Sequence, residues 1–171
     1  EDYYVRKHAG QVELIDGVMY DMGMLSTEHQ SMAGEICCQM LQFIRQNRID
    51  AAVFPFPVDV CPDDDDRTIL QPDVVVVCDR EKVRETGIYG TPDFIAEVLS
   101  AGSQERDCIR KLDKYRSLGV REYWIVDPDK EKVIVYQFEE ALYPSVYGFD
   151  MPVPVGIFQG KCRIEIRASV W

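Results

Sequence analysis

Basic residues are in short supply: 19 lysines and arginines face 30 acidic residues, a formal net charge of −11. A protein that coats nucleic acid by broad electrostatic attraction needs the opposite balance. No apolar run approaches the roughly 18 residues of a membrane span, and no signal-peptide pattern is present. The expectation is therefore a cytoplasmic protein with no membrane partner. The six cysteines (Cys37, Cys38, Cys61, Cys78, Cys108 and Cys162) contain no C-x-x-C pair. Zinc and disulfide frameworks are thereby disfavoured, and reduced thiols in apolar surroundings fit better. Repeats and low-complexity tracts are absent. With 171 residues, 46% hydrophobic and 29% charged, the chain reads as one soluble globular domain over residues 1–171.

What is present is concentrated between Leu70 and Tyr115. Gln71-Pro72-Asp73 leads into Val74-Val75-Val76-Val77, and Phe94-Ile95-Ala96-Glu97-Val98-Leu99-Ser100 follows. Both are short β-branched runs suited to strands buried on both faces. Each carries a carboxylate where burial should forbid one: Asp73 at a strand entry, Glu97 inside a strand. A helix from Asp107 through Tyr115 comes next. At about 100° per residue, Lys111 falls within its apolar arc of Cys108, Leu112, Tyr115 and Leu118. An isolated buried charge costs several kcal/mol unless it is paired or holds a metal. Two acids and a lysine that converge suit a hard divalent cation and a phosphodiester, with oxygen ligands for the metal and an ammonium for water or phosphate. A buried ion pair without catalytic meaning accounts for the same pattern.

These residues also resemble a known family. Pro72-Asp73 followed by Glu97 in a strand is similar to the PD-(D/E)XK nuclease superfamily, and the surrounding phrases resemble its Uma-type, restriction-endonuclease-like branch. The phrases are Glu13-Leu14-Ile15-Asp16-Gly17, Ser26 with His29, Gln71-Pro72-Asp73-Val74 and Glu97-Val98-Leu99-Ser100. They continue with Asp107, Lys111 and Tyr115, then Gly119-Val120-Arg121-Glu122-Tyr123-Trp124-Ile125-Val126-Asp127-Pro128. The lysine found two residues after the glutamate in the wider superfamily is here Leu99, and the resemblance assigns its role to Lys111. It implies an α/β restriction-endonuclease-like core, a mixed β-sheet flanked by helices. It further implies Mg²⁺ or Mn²⁺ on Asp73, Glu97 and the Val98 carbonyl, a nucleic-acid substrate, DNA foremost, and a homodimer. Glu13 and His29 enter as supporting residues.

Around this centre the chain reads as follows. Val12–Ile15 and Val18–Met22 flank Asp16-Gly17, a two-residue hairpin signal. Glu13 points away from Val12 and Leu14, which suits a solvent-facing residue as well as a site residue. Thr27 to Gln30 has the form of a capping box with Thr27 as N-cap. A helix to about Arg45 should bury Met32, Ala33, Ile36, Met40, Phe43 and Ile44, with His29 on the same stripe; a lone histidine there is more often a core residue than a ligand. Glu35 leaves that stripe and is not assigned. Pro55 and Pro57 suggest a sheet edge or a bulge near Ala51–Val60. Asp63 to Asp66 lacks the spacing of a calcium loop and reads as a solvated turn. A short helix is expected over Asp79–Glu85, a loop over Gly87–Pro92, and strands over Glu122–Val126, Val133–Phe138 and Ile164–Ile166. Trp124 belongs to the core. Between Gln104 and Arg121, six basic residues face three acidic ones, a local excess in an acidic chain. Tyr143, Tyr147, Phe149, Phe158 and Trp171 exceed what a small tail needs to cover itself.

The reading is a metal-dependent endonuclease. Its rivals are a binding or regulatory protein on a nuclease-like fold, and a metal-dependent hydrolase of a small phosphoester.

Overall fold

The computed structural model describes residues 2–7, 11–23, 25–62, 66–99 and 105–167; the side chains of Asp2, Arg6 and residues 105–109 are not among the described parts. Ser100, the turn residues Asp63 to Asp65, the side chains of Asp107 and Cys108, and Trp171 therefore lie outside the described residues. In chain order the elements are α1 (Asp2–Lys7), β1 (Val12–Ile15), β2 (Val18–Asp21), α2 (Thr27–Gln46), β3 (Ala52–Pro55), β4 (Val60–Cys61) and β5 (Val74–Val77). Then come β6 (Val83–Arg84), β7 (Gly87–Tyr89), β8 (Phe94–Val98), α3 (Glu105–Leu118), β9 (Glu122–Asp127), β10 (Lys132–Gln137), β11 (Ser145–Gly148), β12 (Val153–Pro154) and β13 (Arg163–Ile164).

A six-stranded mixed sheet in the order β11-β10-β9-β8-β5-β3 carries the fold. Only β8 and β9 run parallel within it, and α3 is the crossover between them, as parallel neighbours require. The central strands β5, β8 and β9 are buried at every position. Both of their faces are covered, which is why they are apolar without alternation. On one face Val74, Val76, Phe94 and Trp124 pack with Met32, Ile36 and Met40 of α2. On the other, Val75, Val77, Ile95 and Tyr123 pack with Tyr115 of α3.

Local chemistry sets the boundaries. Asp16 (φ 52°) and Gly17 (φ 85°) both take the left-handed conformation that a tight two-residue hairpin needs. Gly119 (φ 81°) stops α3 in the same way. The N-cap of α2 is Ser26 rather than Thr27: its hydroxyl accepts the His29 N–H at 3.1 Å, and Thr27 is already helical. Phe43 is only half-buried on the α2 stripe. The edge expected from Pro55 exists, since β3 is the outermost strand beside β5. Asp79–Glu85 forms a single 3₁₀ turn, Arg80–Lys82, before β6. Gly87–Tyr89 is a strand, not a loop, pairing parallel with β4 and antiparallel with β6. Its Gly87-Ile88-Tyr89 run is too short, and too closely framed by Gly90 and Pro92, for apolar periodicity to reveal it. The five cysteines whose side chains are described are free thiols, Cys162 buried and Cys38 exposed. Among the described residues no helix is long and apolar enough to cross a membrane.

Candidate active site

The antiparallel register of β5 and β8 pairs Val74 with Ala96. One step further, Asp73 stands opposite Glu97, and residues directly opposite in a sheet share a face. The Val98 N–H closes the arrangement by donating to Asp73 Oδ2 at 2.7 Å. Two carboxylates are thus fixed side by side at the open end of the most deeply buried strand pair.

Lys111 reaches them from α3. Its Nζ lies 2.9 Å from Glu97 Oε1 and 2.9 Å from Glu13 Oε2. Tyr115, one turn further along the same helix face, donates its hydroxyl to Glu97 Oε1 at 2.8 Å. Glu13 is held from the other side, its Oε1 accepting the Gln71 N–H at 2.8 Å. The β1–β2 hairpin that carries Glu13 is pinned to α3 by Lys114 on Asp16 (2.8 Å) and by Arg110 over the Tyr20 ring. From the start of α2, His29 Nε2 approaches Asp73 Oδ2 at 3.0 Å. The imidazole thus touches one of the groups the sequence suggests as metal ligands, Asp73. All of Glu13, His29, Asp73, Glu97 and Lys111 are buried, none more than 8% exposed.

The charges do not balance. Three carboxyl groups share the site with one ammonium, which meets Glu13 and Glu97, and one imidazole, which meets Asp73. The low-dielectric setting makes any excess charge expensive. Burial, with Asp73 and Glu13 nearby and only Lys111 opposing, pushes the Glu97 carboxyl up to about 7. Burial works against the Lys111 charge, but Glu13 and Glu97 outweigh it and hold the ammonium well above its ordinary value. Burial and the neighbouring Glu97 and Glu13 raise the Tyr115 phenol, which stays a donor. For His29 burial lowers the pKa, but the contacts with Asp73 prevail and raise it. Its Nδ1 has no partner among the described residues, so protonation adds a donor that these residues do not meet.

The hydrogen bonds accepted by Asp73 and Glu97 from described residues fall on one oxygen each, Oδ2 and Oε1. Asp73 Oδ1 and Glu97 Oε2 stand outside them. Two such hard oxygens, with the Val98 carbonyl that the family resemblance adds, would suit a Mg²⁺ or Mn²⁺ ion that keeps several waters. No group of three or more His, Cys, Asp or Glu side chains among the described residues has a metal-holding arrangement of its own. A site here rests on two carboxylates and a carbonyl.

The five side chains singled out from the sequence converge on this one place. Glu13 is not solvent-facing: β1 lies between two packed layers, with Val12 and Leu14 against Tyr3 and Ile69 and Glu13 under α3. Tyr115 and Gln71 belong to the site as well, although from the sequence Tyr115 read as an apolar-face residue within a family phrase and Gln71 as part of another phrase, neither with a role. The signal for Tyr115 was its spacing of four residues from Lys111. The local basic excess is largely committed elsewhere: Arg110 to Tyr20, Lys114 to Asp16, Arg116 to the Phe138 ring and Arg121 to Asp93.

A mixed sheet with helices on both faces and an acid-lysine cluster at the strand ends defines a nuclease-like α/β fold. The crystal structure of "a putative nuclease belonging to DUF820" from Anabaena variabilis shares it, with a TM-score of 0.75 and 21% identity over 92% of this chain and 88% of that one. The chain belongs to the Uma2 family, described as "Putative restriction endonuclease", whose profile matches residues 1–155. No curated protein matches the sequence.

Proposed function

We propose that this protein is a metal-dependent endonuclease that hydrolyses phosphodiester bonds in nucleic acid, with DNA as its substrate. The uncompensated charge of the cluster carries the reading. Glu13, Asp73 and Glu97, when ionised, outnumber Lys111 and a protonated His29 and leave a negative excess in a buried site, which a divalent cation would relieve. Asp73, Glu97 and the Val98 carbonyl would hold Mg²⁺ or Mn²⁺. Bound there, the ion would supply Lewis acidity toward a phosphoryl oxygen and toward water.

The chain's own groups do the rest. Glu13 and Glu97 fix the Lys111 ammonium between them, where it orients a water and meets charge developing on the phosphate. Tyr115 holds the Glu97 oxygen that Lys111 shares, and His29 holds Asp73. Phosphodiester hydrolysis is slow enough uncatalysed that loss of one such group removes most of the turnover.

The solution state we infer is a homodimer in the cytoplasm. The outer strand β11 (Ser145–Gly148) has no proline or charge to blunt it. Leu142, Tyr143 and Val146 are exposed beside it, the kind of neutral patch on which two chains of net charge −11 can meet.

The test is metal-dependent nicking of plasmid DNA. Wild type should nick with Mg²⁺ or Mn²⁺, and EDTA, Asp73→Ala, Glu97→Ala or Lys111→Ala should abolish it. Lys111→Arg should rescue poorly, because a planar guanidinium does not replace a compact ammonium between two carboxylates. Nicking that survives Lys111→Ala would remove the lysine from the mechanism. Metal binding at Asp73 and Glu97 without cleavage of DNA or RNA would favour the binding protein on a nuclease-like fold. Cleavage of a generic phosphoester alone would favour the small-substrate hydrolase.

A further inference from the structure

A second polar cluster lies one residue's reach from the acid-lysine site. Asp59 is buried, and its oxygens accept from Lys7 Nζ, from Gln71 Nε2 at 2.7 Å and from the Tyr3 hydroxyl at 3.4 Å. Gln71 is the same residue whose backbone N–H holds Glu13, so a continuous hydrogen-bonded path runs from Asp59 through Gln71 and Glu13 to Lys111. Asp59 and Lys7 line a cleft of about 270 Å³. Phe54 and Pro57 line it together with Arg84 and Ile88 of the β6–β7 hairpin. Phe54 pairs with Val75 in the sheet. It packs with the cluster that contains Tyr115, so the cleft opens on the α3 side of the sheet, the side of Lys111. Gly87 shapes its floor: at φ 154° a Cβ would stand 2.6 Å from the Asp59 carbonyl oxygen.

We propose that this cleft binds a nucleobase next to the phosphodiester being cut. The identity of the ligand rests on the nuclease reading above. Its chemistry rests on the lining. A carboxylate has about four acceptor positions, and Tyr3, Gln71 and Lys7 use three of those on Asp59. Lys7 has three donors, of which Asp59 takes one, and its side chain is 36% exposed. Among the described residues the cleft therefore offers an acceptor position on Asp59 beside further donors on Lys7, with Phe54, Pro57 and Val83 as apolar lining. A base edge presents a donor next to an acceptor on a flat ring, and aromatic and apolar walls hold such rings by stacking. The cleft is not a purely basic phosphate cradle, because Asp59 and Glu85 line it beside Lys7 and Arg84. A base pocket also answers the charge problem, since a chain of net charge −11 gains grip on a strand without a broad basic surface.

The test is two-dimensional amide NMR of the intact chain in EDTA, titrated separately with GMP, AMP, ribose 5-phosphate and a short single-stranded DNA. Shifts at Val58, Gly87 and Ile88 with the nucleotides and the DNA, saturating near about 1 mM for the nucleotides, and absent with ribose 5-phosphate, are expected. Phe54→Ala should weaken binding severalfold. Arg84→Ala, at an exposed position, should weaken it with the spectrum otherwise intact. Silence at these amides, or an equal response to ribose 5-phosphate, would overturn the proposal. Binding of nucleotides but not of DNA would overturn its place beside the scissile bond. Shifts from a protein that cuts nothing would leave the base pocket standing while the nuclease reading falls.

Discussion

Replacing Glu97 with glutamine should flatten the pH dependence of stability between about pH 5 and pH 8. In the wild type burial raises the Glu97 carboxyl from its ordinary 4.5 to about 7, against the pull of Lys111. An acid whose folded value lies above its unfolded one binds more protons when folded. Its contribution is therefore full below the unfolded value and is lost as pH climbs through the folded one. A difference of about 2.5 pH units at about 1.4 kcal/mol each gives roughly 3 kcal/mol lost across the window. For a chain of this size that is a fall in melting temperature of roughly 6–12 °C. Glutamine cannot ionise and keeps the neutral shape. His29 is also raised, by Asp73 first and by Glu97 after it, so the difference between the two proteins reports Glu97 together with its pull on His29, both of the same sign. Thermal melts in EDTA across this range, wild type beside Glu97→Gln, make the measurement. Parallel curves would show that Lys111 keeps Glu97 ionised throughout, and would refute the claim of uncompensated charge.

Lys111→Met should cost roughly 3–5 kcal/mol in urea denaturation above pH 7, because Glu13 and Glu97 are left buried without their cation. Adding Glu13→Gln should recover part of that loss, and no recovery would mean the pair is not energetically linked. Ser26→Ala should destabilise by about 1 kcal/mol through loss of the α2 N-cap, with an unchanged denaturation midpoint as the contrary result. Light scattering at micromolar concentration should give twice the 19.7 kDa chain mass for wild type and the single mass for Val146→Lys; a monomeric wild type would remove the β11 interface.

The sequence made the sheet core legible because its central strands are buried on both sides, and continuous β-branched runs have few other uses. Asp73, Glu97 and Lys111 stood out for the same reason: each is a charge where the surrounding pattern demands burial. Glu13 was ambiguous because alternation identifies a solvent face only when one side of a strand meets water, and β1 meets protein on both. Tyr115 was hidden in plain sight, since a tyrosine on an apolar helix face needs no explanation until its hydroxyl is seen on Glu97. The Asp59 cluster was invisible because it assembles Tyr3, Lys7, Asp59 and Gln71 from distant parts of the chain. The Ser26 cap shows the usual one-residue slip between two adjacent capping residues, which only the hydroxyl's hydrogen bond separates.

Calorimetric titration of Mn²⁺ tests the central claim most directly. If Asp73 and Glu97 hold the cation that the cluster lacks, wild type binds with affinity that drops at least tenfold in Asp73→Asn and in Glu97→Gln, while the metal-free melting temperature of neither variant falls. Unchanged affinity in both variants, or a large loss of stability without metal, would contradict the account and leave the cluster a structural ion pair.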